Sequence, residues 1–234
     1  VLVCLTAPRY GWRDTGRIAR DLEGDLMTSR SALFRHDVPH APPHARIGLF
    51  GGSFDPAHDG HLHVSRAALT RLRLDALWWL VSPGNPLKAH GPAPLDARMA
   101  RARALTRGDP RLRVTAIEAT LGTRYTAHTL RHLRGLYPTQ RLVWVMGADN
   151  LAQMHRWEDW RTILALLPMA VIARPGAQRA ALSSKVARMA RAHRLPARAA
   201  PLLADRRAPA WVFLTPPMRD ISSSALRRAG PEPT

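Results

Sequence analysis

Short apolar runs alternate with amphipathic stretches along most of the chain, and that alternation predicts its architecture. Residues 46–50, 76–81 (ALWWLV), 111–117 (RLRVTAI), 141–147 (RLVWVMG), 169–174 and 211–215 are short and mostly apolar, as strands buried on both faces are. Between them apolar positions recur at helical spacing. The predicted helices run from Asp59 or Gly60 past Leu62, Ala67, Leu69 and Leu72, then over 95–106, 126–136, 158–167 and 179–194, with a last one from Ser222. Strand–helix alternation supplies the crossovers that parallel neighbours require. The pattern therefore predicts an α/β fold, a doubly wound parallel sheet forming a single domain. In such sheets ligands bind beyond the carboxyl ends of the strands, where strand order reverses.

Residues 1–45 lack this rhythm and end in VPHAPPHAR, which continues neither a helix nor a central strand. They are expected to be a weakly ordered or surface-packed N-terminal extension, with a helix at 29–35. The core domain is expected over 46–230, with 231–234 as a tail.

At 234 residues and 46% apolar composition, the chain suffices for one good core. The single cysteine, Cys4, permits no internal disulfide and fits a reducing compartment. The opening VLVCLTAP is short and lacks the basic flank of a secretory signal. The longest apolar run, 163–173, contains Pro168 and falls well below the roughly twenty residues that span a bilayer. A soluble, cytoplasmic protein with no membrane partner is expected, and a homo-oligomer is compatible with the sequence.

The formal charge of +18 suggests nucleic acid as an alternative class of partner. Yet Lys88 and Lys185 are the only lysines, and the arginines are scattered over many segments of an alanine-rich chain. This is a habit of composition rather than a patch, so no specific nucleic-acid partner is expected. The run 174–204, with seven Arg or Lys and no Asp or Glu, is read as a solvated helix face before a polyanion surface.

The chemistry concentrates in RIGLFGGSFDPAHDGHLHVS, residues 46–65. Gly51 and Gly52 end a strand where the backbone can approach a ligand closely, and the next helix brings its unpaired amides and positive dipole end to the same space. His58 and His61, three apart, share one face of its first turn, while His63 points elsewhere. A capping or solvated pair is the plain reading of these histidines. Zinc would need a third ligand that the neighbourhood lacks, and an anion such as phosphate suits glycines, imidazoles and a helix start better. Near the other end, Ile221, Ser222, Ser223, Ser224 and Arg227 put hydroxyls and a cation at a helix start, which reads as a cap and as a second anion nest.

GGSFDPAHDGHL resembles the GG(T/S)FDPxHxGH stretch of the nucleotidyltransferases, in particular bacterial nicotinate-nucleotide adenylyltransferases. NPLK at 85–88, RYTAHTL at 124–130, VMGADNL at 145–151, HRWEDW at 155–160, VIARPG at 171–176 and ISSSALR at 221–227 follow in that family's order. The resemblance implies a Rossmann-like fold and transfer of AMP from ATP to nicotinate mononucleotide, giving deamido-NAD and pyrophosphate in NAD biosynthesis. It assigns catalysis to His58, His61 and Arg227. ATP would be held by Gly51, Gly52, Ser53, His58, His61, Gly147, Asp149, Arg174, Ile221, Ser222, Ser223 and Arg227. The acceptor would meet Lys88, Tyr125, Thr126 and Trp157. Mg²⁺ is expected to arrive on ATP, and no protein metal ligand is named. Nicotinamide mononucleotide or phosphopantetheine are alternative acceptors within the fold. Glu158 stands where the family often has a second aromatic.

Overall fold

A computed structural model of the chain describes residues 38–84 and 91–217. The expected helix at 29–35, Lys88, the stretch 221–227 and the tail 231–234 lie outside the described residues.

Within them the order is β1 (Arg46–Gly52), α1 (Asp59–Arg71), β2 (Ala76–Val81), α2 (Leu95–Thr106), β3 (Leu112–Thr115), α3 (Ile117–Thr120), α4 (Thr126–Leu136) and β4 (Arg141–Gly147). There follow α5 (Ala148–Gln153), α6 (Trp160–Leu166), β5 (Met169–Ile172), α7 (Gln178–Leu182), α8 (Lys185–Met189), β6 (Arg194–Leu195), a 3-10 helix (Ala197–Asp205) and β7 (Trp211–Leu214). Among the described residues the seven strands form one sheet in the order β3-β2-β1-β4-β5-β7-β6, with every pairing parallel. The predicted doubly wound sheet is what forms.

The central strands are apolar throughout because both faces are covered. Phe50, Trp79, Val81, Val143, Val145, Ala170 and Ile172 pack with Leu62, Val64, Ala68 and Leu69 of α1, Met99 and Ala102 of α2, and Ala200 and Leu203 of the 3-10 helix. Their neighbours in the pleat, Leu49, Trp78, Leu80, Trp144 and Met146, turn to the other face and are equally buried. Burying such side chains contributes about 1.5–3 kcal/mol each before entropy is charged against it.

Local chemistry explains where sequence and structure part. The strand expected over 111–117 stops at Thr115, whose hydroxyl accepts the Ile117 amide (3.1 Å) and turns the chain into α3. The single helix expected over 179–194 is broken at its two serines: Ser183 Oγ donates back to the Arg179 carbonyl (2.9 Å), and Ser184 accepts from the Ala187 amide (3.2 Å) as the cap of α8. The helix expected from 158 begins at Trp160, because Asp159 holds a left-handed conformation at φ 47°.

Arg46 and Arg141 are register partners on β1 and β4, so two cations start adjacent strands. Asp205 binds both guanidiniums, at 2.7 Å from that of Arg46, and Asp75 accepts the Arg46 amide at 2.7 Å. At the same end Tyr137 donates to the Pro39 carbonyl (2.7 Å), and the Gln140 amide donates to those of Ala41 (3.0 Å) and Pro42 (3.2 Å). The compact unit carrying the sheet thus begins at Pro39, seven residues before the start expected from the sequence.

Residues 39–45 should therefore be needed for full stability. A chain starting at 46 leaves the buried Gln140 amide and the Tyr137 hydroxyl without these acceptors, a loss of about 1–3 kcal/mol. Relative to a chain starting at 39, its melting midpoint should fall by about 3–10 °C. Equal midpoints in a calorimetric comparison would show that the segment adds nothing.

Candidate active site

From β1 the chain crosses to β2 on one side, and from β4 to β5 on the other, so the sheet's order reverses between β1 and β4. The crevice beyond their carboxyl ends is floored by Gly51 and Gly52 of β1 and Gly147 of β4. At two of these positions an added Cβ would collide with a neighbouring side chain. A Cβ on Gly51 would stand 2.4 Å from Cη2 of Trp144, and one on Gly147 would stand 2.4 Å from Asp149 Oδ1 and 3.0 Å from Arg174 Nε.

After Gly52 the chain turns sharply through Ser53 and Phe54, whose φ is 47°, and a cis bond joins Asp55 to Pro56. The Phe54 ring stacks on Trp79, with centroids 4.6 Å apart and planes at 8°, and meets Phe50 edge-on at 5.5 Å. Trp79 Nε1 donates to Ser65 Oγ (2.8 Å), which donates to the carbonyl of His61 (2.8 Å). The turn and the first helix are thereby tied together from beneath.

His58 caps α1. Its Nδ1 accepts the Gly60 amide (3.0 Å), and the His61 Nδ1 accepts the amide of His58 (3.2 Å), a reciprocal capping box built from two imidazoles. Both Nδ1 lone pairs are used, so each neutral ring carries its proton on Nε2. The His58 Nε2 is buried without a partner among the described residues. Neither ring therefore offers a free lone pair to a metal, which disfavours zinc on the donor set alone.

Burial pushes the pKa of His58 down to about 4, helped by Arg174 and opposed by Asp59. His61 is held well below the usual imidazole range by burial, by His58 and by Arg174, against the backbone bond from His58. Both shifts favour the neutral form, so the free site holds donors rather than imidazolium cations. Arg174, just past β5, adds the positive charge and lies 3.6 Å from the Asp149 carboxylate. Gly51, Gly52, Ser53, His58, His61, Gly147, Asp149 and Arg174 thus gather at one end of two strands.

Tyr125 and Thr126 begin α4, whose first turn no side chain caps. Tyr125 is exposed and packs edge-on against His128 (5.7 Å). Beneath them Glu118 of α3 is buried and accepts from Thr129 Oγ1 (3.3 Å), which also bonds Thr123 Oγ1 (2.9 Å). Burial pushes the Glu118 carboxyl up to about 7. Of the two tryptophans in WxxW, Trp160 is core and Trp157 half-buried, while Glu158 is exposed. Arg131 of α4 pairs with Asp159, which also accepts from Thr162 (2.7 Å), fixing the Trp157 loop to α4.

Sequence reading missed two buried ionisable residues here, Glu118 and Arg98. Arg98 of α2 lies 2% exposed among backbone carbonyls. Its signal was an arginine in line with Ala102 and Thr106 in the apolar stripe of α2, hidden by arginines throughout the chain.

A family model described as cytidylyltransferase-like matches residues 49–229. Curated relatives named as probable nicotinate-nucleotide adenylyltransferases include one from Ruegeria pomeroyi, 57% identical over 196 residues, or 84% of this chain and 92% of the relative. Another, from Methylorubrum extorquens, is 57% identical over 183 residues, covering 78% of this chain and 98% of the relative. Among solved structures, Plasmodium falciparum nicotinic acid mononucleotide adenylyltransferase complexed with NaAD matches with a TM-score of 0.60 at 16% identity, over 79% of this chain and 83% of that one. Its complex with APC gives 0.59 at 15%, with the same coverage. At that identity the likeness is one of fold.

The imidazole pair sets a pH dependence. Native pKa values below the unfolded value near 6.5 mean that the unfolded chain takes up these protons first. The pair's contribution to stability is thus complete above about 6.5 and is lost as pH falls toward 4. In an NMR titration the Cε1–H signals of both rings should hold neutral positions at about pH 5.5, with His58 turning over at about 4. Midpoints near 6.5 would mean that the rings are open to water.

Proposed function

The chain belongs to the cytidylyltransferase-like family, and from that premise we propose that it is the enzyme that transfers AMP from ATP to nicotinate mononucleotide in NAD biosynthesis. A phosphate oxygen of the mononucleotide attacks the α-phosphorus of ATP, a new P–O bond forms, and the bond to the bridging oxygen of the β-phosphate breaks. Deamido-NAD and pyrophosphate result. No covalent intermediate is required, so positioning and stabilisation of oxygen charge supply the catalysis.

The observation that carries this reading is the locked imidazole pair at the switch point. A buried N–H without an acceptor is costly, and a phosphate oxygen is the acceptor that a helix start, a glycine turn and Arg174 all favour. In this account His58 and His61 donate from Nε2 to the transferring phosphate, with His61 nearest the α-phosphorus. The amides of Gly52 and Ser53 meet other phosphate oxygens. Asp149 accepts from ribose hydroxyls beside Gly147, exchanging part of its attraction to Arg174 for them, and Arg174 is left to the nucleotide. Ile221, Ser222, Ser223 and Arg227 complete the triphosphate site and Lys88 the acceptor's phosphate site, on the strength of their sequence motifs.

Mg²⁺ bound to the triphosphate would neutralise charge on the leaving pyrophosphate. The described site offers donors and a guanidinium rather than a carboxylate cage, and among the described residues no cluster of three acidic, histidine or cysteine side chains forms. In this reading the ion arrives on ATP. Among the described residues no helix is long and apolar enough to cross a membrane.

For the acceptor, Trp157 supplies a stacking wall, and the first amides of α4, at Tyr125 and Thr126, supply donors for the ring carboxylate. An amide in its place sets donor against donor, at a cost of about 1–3 kcal/mol. Glu158, the residue that could reverse this preference, is exposed.

Pyrophosphate release measured with ATP, Mg²⁺ and a panel of nicotinate mononucleotide, nicotinamide mononucleotide and phosphopantetheine tests the reading. The acid should lead the amide by about 10 to 10² in kcat/KM. Release confined to phosphopantetheine, or none, defeats it. In the same assay His61→Ala should lower kcat by about 10² with the fold intact, and a folded variant of near-normal turnover would remove His61 from the mechanism.

A further inference from the structure

Arg98 sits where a solvated charge has no business. It occupies the apolar side of α2 beside Met99 and Ala102, and its guanidinium is spent on backbone. Nε donates to the carbonyl of Ala93 (2.7 Å), one terminal nitrogen donates to those of Ser53 (2.7 Å) and Ser82 (2.8 Å), and the other to that of Pro83 (3.4 Å). Burial lowers its pKa and the charge of Asp55 opposes that. Taking a guanidinium out of water costs several kcal/mol, and a leucine or methionine would fill such a stripe without that cost. The four acceptors indicate what the charge is for. They lie in the turn after β1, the exit of β2 and the entry to α2, so one planar fork joins three segments that enter or leave the ligand edge of the sheet.

The bond to Ser53 matters most. In a trans peptide the carbonyl and the following N–H point in opposite directions, so Arg98, by drawing the Ser53 oxygen toward itself, turns the Phe54 N–H away. Phe54 stands at φ 47°, a conformation that costs a non-glycine residue about 1–3 kcal/mol unless its surroundings impose it. Arg98 imposes it through the backbone on one side and the Trp79 stack through the ring on the other. Trp79 in turn reaches Ser65 and the carbonyl of His61. A continuous line of contacts runs from Arg98 to the imidazole pair.

We propose that Arg98 is a positioning residue for nucleotidyl transfer: it fixes the strained turn after β1 so that the turn's amides and His61 keep one geometry toward the bound phosphates. This rests on the adenylyltransferase reading above.

The test uses Arg98→Met, which keeps the stem and removes the charge, and Arg98→Lys, which keeps the charge and loses the fork. Turnover per folded molecule, well below each melting midpoint, and equilibrium ATP affinity are compared with wild type. A residue that only stabilises the fold changes the folded fraction and leaves both quantities alone. A positioning residue should lower kcat by about 10 to 10² in both variants and weaken ATP binding about tenfold. Wild-type kcat and ATP affinity in the folded variants would overturn the proposal, and so would failure of both variants to fold, which would make Arg98 a residue of the fold. If wild type releases no pyrophosphate, the enzyme reading fails by itself, and ATP affinity still decides the role of Arg98.

Discussion

Two hydrogen bonds between imidazoles and backbone at the start of α1 are what the site depends on. An aspartate or serine would cap that helix as well, and with shorter reach. What histidine adds is a second nitrogen on the far side of the ring. Because both Nδ1 atoms accept, the tautomer is fixed by folding and each ring keeps an Nε2–H donor without any ionisation. The same burial that holds the rings neutral removes competing water from around them. Helix initiation and the choice of tautomer are thus one event, and a substitution that breaks the cap removes the Nε2 donor with it.

From that pair the constraint passes downward. The carbonyl of His61 receives Ser65, Ser65 receives Trp79, and Trp79 supports a phenylalanine in a left-handed conformation. None of these side chains needs to touch a ligand. Their effect is to make the ligand edge of β1 rigid where a glycine-rich turn would otherwise be loose. On the β4 side Arg174 and Asp149 face each other beside Gly147, in space that a Cβ there would intrude on. The crevice is therefore braced beneath its β1 lip and carries a guanidinium–carboxylate pair at its β4 lip.

How much of this was legible in the sequence depended on whether neighbours in the chain were also neighbours in space. ALWWLV and RLVWVMG declare themselves as doubly covered strands because every residue after the first in each is buried, and both match the observed boundaries. Gly51, Gly52, His58 and His61 form a local constellation, so their motif could be read. Ser183-Ser184 was invisible as a break because serine is tolerated inside helices until its hydroxyl finds a carbonyl or an amide. Arg98 was invisible for a different reason. Three of its four acceptors are 15 to 45 residues away, and one more arginine in a chain with a charge of +18 carries little information. Residues 39–45 looked structureless because their bonds are made by their carbonyls to side chains nearly a hundred residues on.

The contact between Trp144 and Gly51 also limits the paths by which the protein can change. The indole fills the space that any Cβ at position 51 would need, so even alanine is barred there while the tryptophan stands. A smaller residue at 144 would open that space, leaving a void beneath the ligand edge that a larger residue at 51 could then occupy. The order of the two steps is not symmetric: position 144 must move first, at a loss in packing, before 51 gains any freedom. Once position 51 has grown, the return of tryptophan at 144 is closed. This floor of the crevice therefore behaves as a ratchet, in which the residue at one position decides what the other tolerates.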